Sequence, residues 1–174
     1  KLLNMLRTNM DKKYKLETHS KYGFYKVFPT PSEEEIDKYY KEEFYSGDFK
    51  KFNNSTLEVQ LENQDFYEGK WKDMVDNIIE IKNMPVKGMD ILDVGCGWAT
   101  MLLYFKNLGL NCFGFDPAEE AIKYGESKGL NVIHSGVNNI DLFNGKKFDL
   151  ITLMNVYEHL RDPLDIISQI KKIL

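Results

Sequence analysis

The sequence has 174 residues, and its contents of 43% hydrophobic and 29% charged residues are those of a folded, water-soluble domain. A net charge of −4 argues against a large nucleic-acid interface, which needs clustered Lys and Arg. No apolar run approaches the ~20 residues of a transmembrane helix, and the first residues have no signal-peptide core. Cys96 and Cys112 lack the spacing of metal ligands. We therefore expect a cytoplasmic protein without a metal site, whose partners are neither membranes nor nucleic acids.

Residues 1–84 predict a helical, aromatic-rich cap region. A helix is expected from Ser32 to Tyr45, because Pro31 precedes it and Gly47 follows it. A second helical pattern runs from about residue 55 to 84, with an irregularity expected near Gly69. Aromatic side chains of the first helix are interpreted either as a lid over a cationic ligand or as a core-facing stripe: Tyr39, Tyr40, Phe44 and Tyr45.

Residues 85–174 alternate short apolar strands with helices, which predicts a parallel α/β sheet with right-handed crossovers. The strands are expected at "MDILDV", "NCFGFD", "NVIHS" and "FDLITLMNV", and a final helix is expected over "PLDIISQIKKIL". Such a doubly wound, Rossmann-like domain binds its ligand beyond the carboxyl ends of the strands.

Two glycines follow the first of these strands directly, in the segment "ILDVGCGWAT". Gly95 and Gly97 allow a tight turn and a close approach of the backbone to a ligand, and the next helix start favours an anionic group. Asp116 follows about 20 residues later at the tip of the second strand, where a carboxylate can accept two hydrogen bonds from a ribose diol. The alternatives are an ordinary strand–helix turn for the glycines and a helix N-cap for Asp116.

The acid before the turn separates two classes of ligand. A dinucleotide site has a third glycine at the position of Thr100 and no acid before the turn, because the pyrophosphate is negative. Asp93 instead suits a ligand that presents an ammonium group. S-adenosylmethionine has an amino-acid end, a sulfonium and a ribose but no phosphate, so the electrostatics favour it over NAD as the cofactor.

The second half of the sequence resembles the class I S-adenosylmethionine-dependent methyltransferases. The resemblance spans about residues 85–174 and is carried by the glycine-turn segment, "FGFDPAEEAI" and "FDLITLMNVYEHLRDP", in which a Glu-His pair precedes Asp-Pro. In the family pattern a third glycine stands where this chain has Ala99. The resemblance implies a Rossmann-like sheet with more strands than this chain supplies, the four present lying in the order 3-2-1-4.

Individual residues take their expected roles from this resemblance. Asp93, Gly95, Cys96 and Gly97 are implied to contact the methionine end of S-adenosylmethionine, and Asp116 its ribose. Pro117 is implied to lie beside the adenosine, Val137 and Asn138 beside the adenine, and Asn155 near the methyl group. The implied activity is methyl transfer from S-adenosylmethionine to a small-molecule acceptor, with oxygen as one candidate acceptor atom and S-adenosylhomocysteine as the product.

An oxygen acceptor benefits from a general base, and "NVYEHLRDP" offers Glu158 and His159 beside the expected transfer site. His159 is interpreted as the base, the pair as ligands of a divalent ion, or both residues as the start of the next helix. Both are kept as catalytic candidates, and neither is assigned to a metal.

Two other functions remain open from the sequence: an NAD-linked oxidoreductase and a non-catalytic Rossmann-like binding module. The fourth strand, "FDLITLMNV", is apolar on both faces yet lies at the edge of the predicted sheet. Because an exposed apolar edge favours pairing with another strand, we expect either a homo-oligomer or further chain beyond Leu174.

Overall fold

The structure is a computed structural model that describes residues 13–32, 34–35, 56–143 and 145–174. The chain divides into two compact units, Lys1–Asn54 and Ser55–Leu174. Within the described residues, no helix has both the length and the apolar character needed to cross a membrane.

The first unit contains an antiparallel hairpin where the sequence predicted a helical region. Strands β1 (Lys15–Thr18) and β2 (Tyr25–Phe28) pair along their whole length. Gly23, at φ 73°, closes the turn by donating its N–H to the carbonyl of His19 at 2.9 Å. Strands of four residues with a single buried side chain, Val27, have too short a pattern to distinguish from helix by periodicity.

The helix predicted from Ser32 to Tyr45 begins with a capping box. The N–H of Glu35 donates to Ser32 Oγ at 3.2 Å, and the N–H of Ser32 donates to Glu35 Oε2 at 3.0 Å. Residues 36–55 lie outside the described residues, and with them the proposed aromatic lid.

Two helices open the second unit: α1 (Leu57–Glu62) and α2 (Gln64–Lys82). The helical pattern breaks at Asn63, not near Gly69 as predicted, because the Asn63 side chain donates to the carbonyl of Val59 at 2.8 Å and ends α1. Val75 of α2 is buried in the same core as the sheet. Both helices therefore belong to the compact unit of the sheet, which starts before the predicted boundary at residue 85.

Four parallel strands form the sheet: β3 (Asp90–Val94), β4 (Asn111–Asp116), β5 (Asn131–His134) and β6 (Leu150–Thr152). They lie in the order β5-β4-β3-β6, which is the predicted order 3-2-1-4. Helices α3 (Thr100–Asn107) and α4 (Glu119–Ser127) make the crossovers, and α5 (Pro163–Ile173) follows β6. Strand β6 is shorter than the apolar run that predicted it.

A hydrophobic core covers each face of the sheet. Ile91 of β3 belongs to the core with Leu102 and Phe105 of α3, whereas Leu92 and Val94 belong to the other core, with α5. A central parallel strand that is buried on both faces has little room for polar residues. Asp93, on the Ile91 side and near the carboxyl end of β3, is the exception.

Candidate functional site

The carboxyl end of β3 turns at once into the loop that starts α3. Gly95 and Gly97 have φ values of 73° and 51°, in the left-handed region that favours glycine. The N–H groups of Gly95 and Cys96 both donate to the carbonyl of Phe115 in β4, at 2.9 and 3.1 Å. These bonds hold the glycine turn, residues 95–99, against the end of the neighbouring strand.

The two glycines of this turn meet different surroundings. A Cβ placed on Gly95 would lie 2.4 Å from Cγ2 of Val156, in the loop after β6. A Cβ placed on Gly97 would meet no atom of the described residues within 4 Å. The lack of a side chain at Gly95 therefore allows the loop after β6 to pack against the turn, while the space beside Gly97 is open to a ligand.

Ala99 occupies the position of the usual third glycine, and its φ of 54° explains why glycine is usual there. A left-handed conformation costs an alanine about 1–2 kcal/mol relative to glycine. The side chain is almost fully buried in the core beneath the turn, and burial of the methyl group offsets part of that cost.

Asp116, at the end of β4, connects the glycine turn to the start of α4. Its Oδ2 accepts a hydrogen bond from the N–H of Gly97 at 2.8 Å, and its Oδ1 accepts one from the N–H of Ala118 at 2.8 Å. Ala118 is itself the N-cap of α4, so Asp116 precedes the cap instead of forming it. A carboxylate has about four lone pairs, which leaves acceptor capacity for ligand hydroxyls.

Asp93 is a buried carboxylic acid, with only 3% of its surface exposed. Burial raises the pKa of Asp93 to about 7, and the nearby charge of Asp116 also raises it. A hydrogen bond from Thr152 Oγ1 to Asp93 Oδ1, at 2.6 Å, acts in the opposite direction. No cation of the described residues forms an ion pair with Asp93. A desolvated carboxylate without a cation attracts either a proton or a positively charged ligand.

Other predicted cofactor contacts follow the carboxyl ends of β4 and β5. Pro117 is exposed, and its carbonyl lies 2.9 Å from Nε2 of His134, the last residue of β5. Val137 is half-buried at the start of a short 3-10 helix, Val137–Phe143, that also contains Asn138.

Cys96 and Asn155 lie in the loops after β3 and β6. Burial raises the pKa of the half-buried Cys96 thiol, which therefore stays protonated and is a poor nucleophile. Asn155 is exposed and has a φ of 58°, which turns the chain after β6. That turn precedes the residue that packs on Gly95, Val156.

The two catalytic candidates lie in a single 3-10 turn, Tyr157–His159, after β6. Nε2 of His159 is 3.8 Å from Oε1 of Glu158, and the histidine side chain is the more buried of the two. Within the described ranges, no group of three His, Cys, Asp or Glu side chains is arranged to hold a metal ion. The arrangement provides a histidine beside a carboxylate in the loop after β6, and Val156 of the same loop packs against Gly95 of the glycine turn.

Three residues of this region were missed by the sequence reasoning: Thr152, Val156 and Gln60. Thr152 was detectable as a hydroxyl within the apolar run of β6. Gln60 of α1 accepts a hydrogen bond from Thr100 Oγ1 at 2.5 Å, at the first residue of α3. No local pattern predicts such a contact between residues 40 positions apart.

The comparison with known families places residues 64–174 in a family described as "Methyltransferase domain". Similar curated proteins include "Ubiquinone biosynthesis O-methyltransferase" of Actinobacillus pleuropneumoniae, 36% identical over 106 residues, with 55% of this chain and 45% of that protein aligned. The Haemophilus ducreyi protein of the same name is 32% identical over 108 residues, 56% of this chain and 46% of that protein. The chain spans about half the length of the curated relatives it matches.

Solved structures with the same fold include the plantazolicin methyltransferase BpumL in complex with SAH, with a TM-score of 0.62 and 19% identity. That alignment covers 80% of this chain and 52% of that one. Magnesium protoporphyrin IX methyltransferase (ChlM) from Synechocystis PCC 6803, solved with bound SAM, has a TM-score of 0.56 and 16% identity over 83% of this chain and 73% of that one. The family match covers more than half of the sequence, so the chain belongs to the methyltransferase domain family.

Proposed function

We propose that this protein binds S-adenosylmethionine at the carboxyl edge of the sheet and transfers its methyl group to an oxygen of a small-molecule acceptor. The observation that carries the proposal is the buried carboxyl group of Asp93, which has no cationic partner among the described residues and precedes the glycine turn. Membership of the methyltransferase domain family supports the same conclusion.

The site favours a cofactor with a positive amino-acid end. An ammonium group beside Asp93 would compensate a carboxylate whose desolvation is otherwise costly. Asp116, whose two oxygens are already oriented by backbone N–H groups, would accept hydrogen bonds from ribose hydroxyls. A pyrophosphate would meet two acids instead, which argues against a dinucleotide and for S-adenosylmethionine.

The chain's own residues would mainly orient the reactants. When bound, S-adenosylmethionine supplies a methyl group already activated by its sulfonium, so proximity and alignment account for much of the rate. We assign Asp116 to the ribose, Val137 and Asn138 to the adenine, and Asn155 to the region of the methyl group. Each lies at or after the carboxyl end of a parallel strand, where ligands of such sheets bind.

An oxygen acceptor is supported by the curated relatives, which are named O-methyltransferases. Proton removal from a hydroxyl requires a base near neutral pH, and His159 with Glu158 beside it suits that task. If His159 is the base, His159→Gln should lower kcat far more than it changes the affinity for S-adenosylhomocysteine.

Calorimetric titration of the purified protein with S-adenosylhomocysteine and with NADH tests the cofactor. We expect S-adenosylhomocysteine to bind and NADH to show no binding. Asp116→Asn should weaken S-adenosylhomocysteine binding by about tenfold to a hundredfold, since bonds to a charged acceptor are worth about 1.5–3 kcal/mol. Asp73→Asn, an exposed acid of α2, is the matched control and should bind as the wild type does. Binding of NADH alone would overturn the proposal.

A further inference from the structure

The carboxyl ends of β3 and β6 bring two polar side chains together inside the apolar sheet. Asp93 and Thr152 are paired residues of these neighbouring parallel strands, so their side chains lie on the same face. Both are buried, at 3% and 8% exposure. In such apolar surroundings a hydrogen bond is electrostatically stronger than in water, so a bond between the two side chains holds them together firmly.

Thr152 has one hydroxyl proton to donate, and the geometry decides where it goes. Its Oγ1 lies 2.6 Å from Oδ1 of Asp93 and 3.5 Å from the carbonyl of Leu92. The short distance to a charged acceptor favours the carboxylate. This bond fixes Oδ1 and with it the orientation of the carboxyl plane. No described residue donates a hydrogen bond to the other oxygen, Oδ2, which leaves that atom for a ligand.

The groups around Asp93 otherwise favour its neutral form. Burial raises the pKa of Asp93 most, and the carboxylate of Asp116 at the end of β4 raises it further. The thiols of Cys96 in the turn and Cys112 in β4 stay protonated, because burial raises the pKa of each, and they contribute no positive charge. Among these neighbours, the hydroxyl of Thr152 is the group that stabilises the ionised carboxylate.

We propose that Thr152 is a positioning residue for cofactor binding: its hydroxyl orients Asp93 and keeps it a carboxylate, whose Oδ2 receives the ammonium group of S-adenosylmethionine. This inference rests on the proposed function. Thr152 acts through Asp93 and does not itself touch the cofactor.

Two substitutions at Thr152 separate the hydroxyl from the side-chain volume. Thr152→Val keeps the shape and removes the donor, whereas Thr152→Ser keeps the donor. The affinity for S-adenosylhomocysteine, which carries the ammonium without the sulfonium, is measured by calorimetry from pH 6 to 8.5. At pH 7 Thr152→Val should bind about tenfold more weakly, and Thr152→Ser should bind as the wild type does.

The pH profile distinguishes positioning from a general loss of structure. Without the hydroxyl, Asp93 ionises at higher pH, so the affinity of Thr152→Val should rise at a higher pH than that of the wild type. The difference in affinity between the two proteins should shrink as the pH rises to 8.5, and the difference that remains there measures the loss of orientation. A distorted site would instead bind more weakly by the same factor at every pH. In an Asp93→Asn background, Thr152→Val should cause no further loss.

The possible results distinguish a failure of the proposed function from a failure of the role proposed for Thr152. If the wild type fails to bind S-adenosylhomocysteine at every pH, the proposed function is wrong. If the wild type binds and Thr152→Val has the same affinity and pH profile, or is weaker by a constant factor, the role of Thr152 is refuted. If Thr152→Val does not fold, Thr152→Ala replaces it, with circular dichroism as the check of folding and the same shift expected.

Discussion

Replacing Gly95 by alanine should destabilise the fold more than the same replacement at Gly97, because only Gly95 faces a neighbouring side chain. Both residues have positive φ values, 73° and 51°, so both substitutions incur left-handed backbone strain. At Gly95 the new Cβ would also lie 2.4 Å from Val156 Cγ2, which is closer than Cβ atoms are found to other atoms in proteins. At Gly97 it would meet no described atom within 4 Å.

The expected magnitudes follow from these two contributions. Left-handed strain costs about 1–2 kcal/mol for a residue with a Cβ. Overpacking against Val156 adds about 1–3 kcal/mol, because the loop after β6 must move away. Gly97→Ala should therefore cost about 1–2 kcal/mol and Gly95→Ala about 2–5 kcal/mol. Ala99, at a φ of 54°, already demonstrates that the turn accommodates an alanine in this conformation.

Urea unfolding followed by circular dichroism measures both variants against the wild type. Val156→Ala in the Gly95→Ala background supplies the decisive comparison, because it removes the atoms that clash. The double variant should recover about 1–3 kcal/mol relative to the sum of the two single variants. Equal costs for Gly95→Ala and Gly97→Ala, or strict additivity with Val156→Ala, would refute the steric explanation.

Three further substitutions test electrostatics and capping by urea unfolding. Burial raises the pKa of Asp93 to about 7 from its usual 3.8, so the wild type loses stability as pH rises through that range. Asp93→Asn should therefore raise the free energy of unfolding at pH 8 but not at pH 4, and equal effects at both would contradict this. Lys146→Met should cost about 0.5–1 kcal/mol at pH 7, because Lys146 pairs with Asp90 at 2.6 Å and lowers its pKa. That contribution should disappear as pH falls through the lowered pKa, whereas Lys72→Met, in an exposed pair, should have no measurable effect. Asp162→Ala should cost about 1 kcal/mol by removing the N-cap of α5, and an unchanged midpoint would exclude that cap.

Local sequence patterns were sufficient to predict those elements whose conformation depends on backbone preferences alone. The alternation of strands and helices after residue 85 predicted the parallel sheet, and the strand order 3-2-1-4 is observed. The glycines of "DVGCGWAT" predicted a tight turn, and both have the left-handed φ that such a turn requires. The final helix expected over "PLDIISQIKKIL" is also observed, as α5.

Local patterns failed where a segment is short or has competing local bonds. The hairpin of β1 and β2 was not predicted within the helical region expected over residues 1–84, because each strand presents too few residues to define a period of two. The break between α1 and α2 was expected at Gly69, but a glycine within a long helix is tolerated. Asn63 ends α1 instead, where both its backbone N–H and its side-chain amide donate to the carbonyl of Val59.

The sequence by itself determined the fold class, the turn after β3, and the positions of Asp93 and Asp116 near the ends of β3 and β4. These features depend on the φ preferences of single residues, on helix caps and on the period of the hydrophobic residues. Only the tertiary structure decided which side chains meet at that turn. Thr152 reaches Asp93 across 59 residues, and Val156 reaches Gly95 from the loop after β6. Such contacts depend on the register of β6 against β3, and register is set by how the whole sheet packs between its two cores.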